Sequence, residues 1–213
     1  MEEIVRRYLE LALSLERHVE GFVDAYFGPP EIKAAVEAAP PRPLDELEKE
    51  AARLLADVES GGLLPGRQEF LAAQVRAMQA VVDRAAGRDL DFQDEVERTF
   101  DISPAMVDES VFAEAHAEMD RVLPGSGPIR ERLESWKEQQ VLPPDRVMPV
   151  FELALAEIRR RTHDLFELPP GEDLTMQVVH DQPWSAYNWY LGDYRSRIDI
   201  NNDLPLRANA VVP

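Results

Sequence analysis

Apolar residues recur every three or four positions along most of this chain, the spacing of helices that each bury one face. Ile4, Val5, Tyr8, Leu9, Ala12, Leu15, Val19, Phe22, Val23 and Tyr26 form the first stripe and predict a helix over 2–26, ended by Gly28, Pro29 and Pro30. A short helix is predicted over 31–38, because proline suits a first turn and Pro40, Pro41 and Pro43 forbid continuation. Leu44, Leu47, Ala51, Leu54, Leu55 and Val58 predict the next over 44–60, stopped by Gly61 and Gly62. An alanine-rich stretch with Phe70, Leu71, Val75, Met78, Val81 and Val82 predicts a long core helix over 66–86, with Gly87 as its stop. A weaker helix spans 92–100. Ser103 and Pro104 read as an N-cap and first-turn pair opening a helix that ends before Pro124, and 128–140 is polar with few anchors. The last amphipathic stripe predicts a helix over 147–166, with Pro149 tolerated only in its first turns.

Beyond Pro169, Pro170 and Gly171 the period changes. Leu174, Met176 and Val178 alternate with Thr175, Gln177 and Val179, which predicts a strand. Residues 186–191 and 194–200 flank Gly192 and Asp193, a pair that supplies the positive φ of a tight hairpin turn. That register sets Trp189 against Ser196 and Tyr187 against Ile198 on an apolar face, and Tyr190 against Arg195 and Asn188 against Arg197 on a polar one. The fold class is therefore mostly α: a bundle of about seven or eight helices, followed by a small antiparallel β-hairpin or three-stranded sheet. Residues 1–168 read as a helical scaffold and 169–213 as a hairpin segment packed on it as one structural unit.

The aromatic residues sharpen interest in the hairpin. Of the eight Trp and Tyr residues, Trp184, Tyr187, Trp189, Tyr190 and Tyr194 fall within eleven positions. Tyr187 and Trp189 either fill a sheet-on-helix core or line a site. Tyr190 with Arg195 and Arg197 forms either a wall for an extended, partly anionic ligand or a simple cation–π arrangement.

Charge and composition then exclude whole classes. Asp plus Glu number 41 against 23 Lys plus Arg, a formal net charge of −18, which repels nucleic acid and anionic membranes. The chain has no cysteine, so disulfides, thiolate metal sites and a cysteine nucleophile are absent. No apolar run reaches membrane-spanning length and no secretory signal opens the chain, so a cytoplasmic location is the expectation. His18, His116, His163 and His180 are too far apart for a local metal motif, and only His180, beside Asp181 at a strand end, merits attention. Phosphate-cradling loops and nucleophile elbows are also missing. Acidic clusters such as Glu46, Glu48 and Glu50 stand among Lys49 and Arg53 at helical distances and read as solvated faces.

The run from Arg197 to Pro213, RIDINNDLPLRANAVVP, resembles a stretch of a bacterial family known as domain of unknown function 885, which is mostly helical and zinc-metallopeptidase-like. The Tyr26-Phe27-Gly28-Pro29-Pro30 turn and the aromatic stretch 184–194 resemble it too. In that family the matching run leads into a helix carrying a His-Glu pair and a nearby Pro-Gly-His-His, the metal ligands and general base. The resemblance implies that this chain is the N-terminal, non-catalytic part of a larger hydrolase, with Ala208 to Val212 opening the next helix. Zinc would belong to the whole protein and to no residue here. It further implies a substrate-side sheet that binds a peptide by strand addition, with Tyr190, Arg195 and Arg197 touching substrate. Asp199, Asn201 and Asp203 would act through second-shell or capping bonds. The expected partners are the remainder of its own fold and a further copy of the chain, through 174–213. The alternative is a self-contained acidic helical module that binds a protein partner.

Overall fold

The computed structural model describes residues 3–207, so Ala208 to Val212, expected to open a helix, lie outside the described residues. The described residues are 57% helical and form eight helices followed by a three-stranded mixed sheet. It divides into two compact units, 1–106 and 107–213.

The first unit holds α1 (Glu3–Glu16), α2 (Pro30–Ala38), α3 (Leu44–Ser60), α4 (Pro65–Ala85) and α5 (Phe92–Phe100). Leu11 and Leu15 of α1, Leu47, Leu54 and Val58 of α3, and Leu71, Val75, Met78 and Val82 of α4 interlock in one core. Each fully buried Leu or Val there contributes on the order of 1.5–3 kcal/mol. Proline occupies the first position of α2 and of α4, where its missing N–H costs nothing. The end of α4 is closed by Gly87, at φ 77°: Gly87 N–H donates to the Arg84 carbonyl and Arg88 N–H to that of Asp83. These are the two bonds of a Schellman cap. Arg7 joins α1 to α3 by donating to Glu50 and Asp57.

The first helix is shorter than its stripe. The pattern predicts helix to residue 26, but α1 stops at Glu16, because the Glu16 carboxylate accepts from the backbone N–H groups of Gly21 (3.0 Å) and Val23 (2.6 Å). Gly21 takes φ 81°, which continues no helix.

The second unit holds α6 (Glu109–Val122), α7 (Ile129–Glu138), α8 (Pro144–Leu165), β1 (Asp173–Val179), β2 (Ala186–Gly192) and β3 (Arg195–Asn201). Ser103 and Pro104 do not open α6. Asp108 does, its carboxylate accepting from Ser110 N–H, while residues before a proline favour extended backbone. The polar stretch after Pro128 forms α7, and the turn before it is pinned by Arg132, which donates to the Asp120 carboxylate and to the Leu123 carbonyl. α8 begins at Pro144 rather than 147, which puts Pro149 in its second turn. Arg159 of α8 pairs with Glu172, just before β1.

The sheet order is β1-β3-β2, with β1 parallel and β2 antiparallel to the central β3. The hairpin register differs by one residue from the sequence expectation. Trp189 pairs with Arg197 rather than Ser196, and Tyr190 with Ser196 rather than Arg195. The cause is the turn. Asp193 and Tyr194, both at positive φ, form its two central residues instead of Gly192 and Asp193, and the register shift between Tyr190 and Gly192 leaves Leu191 as a bulge.

Candidate functional site

A one-residue register change exchanges the two faces of a strand. Tyr187 and Trp189 accordingly share a face with Arg197, Asp199, Thr175 and Gln177. Tyr190 lies on the opposite face, with Ile198, Ile200, Met176 and Val178. The wall expected from Tyr190, Arg195 and Arg197 is thus split between faces, and the aromatic neighbours of Arg197 are Trp189 and Tyr187.

Asp199 organises this face. Although its side chain is only 7% exposed, it is fully engaged: Arg197 donates Nε to one oxygen (2.7 Å) and a terminal nitrogen to the other (3.0 Å), and Trp189 donates Nε1 at 2.8 Å. Burial pulls the Asp199 carboxyl upward, but hydrogen bonds from Arg197, Gln177 and Trp189 outweigh it and hold the group below its ordinary value. The carboxylate therefore stays charged, and it fixes the guanidinium and the indole relative to each other. The rings of Trp184, Tyr187 and Trp189 follow in a tilted row, with centroids 5.8 and 4.5 Å apart. A row of rings ending at an oriented guanidinium suits an extended ligand with apolar side chains and carbonyl or carboxylate acceptors.

The remaining sequence-selected residues sit around it. Arg195, beside the turn, approaches the Asp193 carboxylate at 3.8 Å and is half exposed. Asn201 is buried and donates from Nδ2 to the carbonyls of Gln182 (2.8 Å) and Trp184 (3.0 Å), while its Oδ1 accepts from Asp203 N–H. The carboxylate of Asp203 accepts from Asp181 N–H (2.7 Å) and bonds His180 Nδ1 (2.6 Å). Asp203 is held below the ordinary carboxylate value, first by that backbone N–H and then by His180. These bonds run back to the 180–184 loop, which carries Trp184, so Asn201 and Asp203 position the first ring of the row.

Sequence reasoning missed Gln177 as a member of the site, counted Trp184 in the aromatic cluster without giving it a role, and missed the pairing of His180 with Asp203 across 23 positions. An alternating strand does mark Gln177 as a candidate, because it shares the Thr175 face. Among the described residues no group of three or more His, Cys, Asp or Glu stands together to hold a metal ion. The described residues do not supply the ligand set of the zinc centre found in the family that the chain resembles. No described helix is long and apolar enough to cross a membrane.

Among the described residues β2 pairs with a strand on one side only. Asn201 N–H donates to the Ser185 carbonyl, so alternate positions, Ala186 and Asn188, direct their backbone N–H and C=O away from β3. Among the described residues no strand lies beyond β2. Comparison with family models, with curated proteins and with solved structures gives no match for this chain.

Proposed function

We propose that this chain is the scaffold and substrate-side part of a peptidase-like hydrolase, and that its sheet binds an extended peptide along the outer edge of β2. The observation that carries the reading is the open β2 edge beside the ordered row of Trp184, Tyr187, Trp189 and Arg197. An added strand hydrogen-bonds to Ala186 and Asn188 through its backbone, and alternate side chains lie against the rings. The resemblance of Arg197 to Pro213 to the zinc-metallopeptidase-like family supports peptide as the ligand. In this reading zinc and the hydrolytic residues are supplied from outside this sequence, and the chain alone binds without cleaving.

Calorimetric titration with an unstructured peptide rich in Val and Thr tests the proposal. Asn188→Pro removes an outward N–H at an edge position where proline is tolerated, and Arg197→Ala frees the guanidinium's place beside Trp189. The expected outcome is measurable binding by the native chain, lost in Asn188→Pro and weakened about tenfold in Arg197→Ala. Equal binding by all three proteins contradicts edge addition.

The acidic interaction-module reading has its own observation: α5, α6 and α7 contain no buried residue among those described, and Phe92, Phe100, Val111 and Phe112 are exposed. Co-purification of a stoichiometric protein partner that is unaffected by Asn188→Pro favours it.

A further inference from the structure

The sheet has a second outer edge, which the peptide reading does not use. Among the described residues no strand lies beyond β1, and β3 is the element that β1 packs along. Asp173 N–H donates to the Tyr194 carbonyl and Asn202 N–H to the Val179 carbonyl, so Asp173, Thr175, Gln177 and Val179 turn their backbone groups toward β3. Leu174, Met176 and Val178 direct theirs outward. Their side chains share a face with Ile198 and Ile200 and are half-buried, so this face runs apolar up to the edge.

Edge strands are ordinarily blunted by a charge, a proline or a bulge. β2 has its bulge at Leu191, and β3 is paired on both sides. From Leu174 to Val179 β1 has none of these devices: its register with β3 is continuous, and no residue there is proline or charged, in a chain of net charge −18. The strand is also matched to itself about Met176. An antiparallel copy centred there sets Met176 against Met176, Leu174 against Val178 and Thr175 against Gln177 of the second copy, apolar on one face and polar on the other. All of the outward residues then fall in hydrogen-bonded pairs. Centring on Thr175 instead sets Val178 against Glu172, and centring on Gln177 sets Asp173 against Asp181, two like charges.

We propose that the β1 edge is a homodimer interface, at which two copies of this chain pair β1 with β1 antiparallel about a two-fold axis at Met176. Such an interface is isologous, so it closes at two copies and joins two three-stranded sheets into one, with β2 at both ends. The apolar face gains cover from Leu174, Met176 and Val178 of the second copy. The negative charge of the whole chain opposes the encounter and is screened by salt, whereas the paired residues themselves carry no charge. The interface uses no residue of the β2 edge and stands whether or not a peptide binds there.

The test is sedimentation equilibrium of the full chain in about 0.5 M salt, joined to oxidation of single-cysteine variants. The chain has no cysteine, so an introduced thiol can bridge only to its own counterpart. On the two-fold axis a hydrogen-bonded pair stands about 5.5 Å apart between Cα atoms, within disulfide reach, whereas Leu174 and its counterpart would be about 14 Å apart. The expected outcome is a monomer–dimer equilibrium, with a covalent dimer that forms readily from Met176→Cys and about tenfold more slowly from Leu174→Cys. Met176→Pro, which removes an outward N–H at an edge position, should raise the dimer dissociation constant about tenfold. Circular dichroism establishes whether this variant keeps its fold, and the cysteine variants test the same register where it does not. A monomer at every concentration, equal cross-linking from Met176→Cys and Leu174→Cys, or a dimer lost in Asn188→Pro and retained in Met176→Pro overturns the proposal.

Discussion

Asp199 is where sequence, fold and chemistry meet most closely. It is nearly buried and charged, a combination tolerated because Arg197, Trp189 and Gln177 supply donors to it. Its lowered pKa has a definite consequence for stability. The folded group binds its proton less readily than the unfolded one, so its contribution is complete above the unfolded value and is lost as pH falls through the folded value. The window is therefore acidic, below about pH 4. Asp199→Asn should destabilise the protein by about 1–3 kcal/mol at neutral pH and flatten the acid limb of its pH–stability curve. Denaturant titrations at a series of pH values measure both effects. An unchanged acid limb would show that the carboxylate does not bear on the fold. The site was only half legible at this scale: Arg197, Asp199 and Asn201 were selected from the sequence, but Tyr190 was chosen over Trp189 because one residue of register exchanges them. The displacement comes from Tyr194 adopting φ 61°, a conformation that its side chain does not advertise.

Elements punctuated by proline and glycine were read within a residue or two. α2, α3 and α4 begin and end where Pro30, Pro40, Pro43, Gly61, Pro65 and Gly87 say they must, because those effects act within a turn. Elements ended by a side chain reaching several residues away were not. α1 stops because of Glu16, and α6 starts at Asp108 in preference to Ser103, both choices made by carboxylates that capture backbone N–H groups. α8 offers a test at this scale. Pro149 is its sixth residue, where it removes an intrahelical bond and presses on the Asp145 carbonyl. Pro149→Ala should stabilise the protein by about 1–3 kcal/mol, read from the midpoint of thermal unfolding. A loss of stability would mean that the proline ring is needed for packing.

The net charge of −18 and the apolar surface work against each other in the whole molecule. The second unit leaves Leu153, Leu165, Phe166, Leu191 and Tyr194 exposed, surface of the kind that draws partners together, while like charge holds copies apart. Salt screens the second effect and leaves the first. Self-association through 174–213, expected from the sequence, should therefore be weak in dilute buffer and grow with ionic strength. Light scattering across a salt series checks this, and a monomer at every concentration and salt level contradicts it. Asn188→Pro should also reduce association if the β2 edge takes part, since a second copy and a peptide would compete for the same hydrogen bonds.

Amide hydrogen exchange reads the outer edge of β2 residue by residue. Ala186 and Asn188 direct their N–H groups outward and should exchange quickly in the chain alone. With saturating extended peptide, the account requires slowed exchange at these two positions, with the inward-facing amides of Tyr187 and Trp189 already protected. Protection that appears elsewhere while Ala186 and Asn188 exchange at their original rates would contradict it.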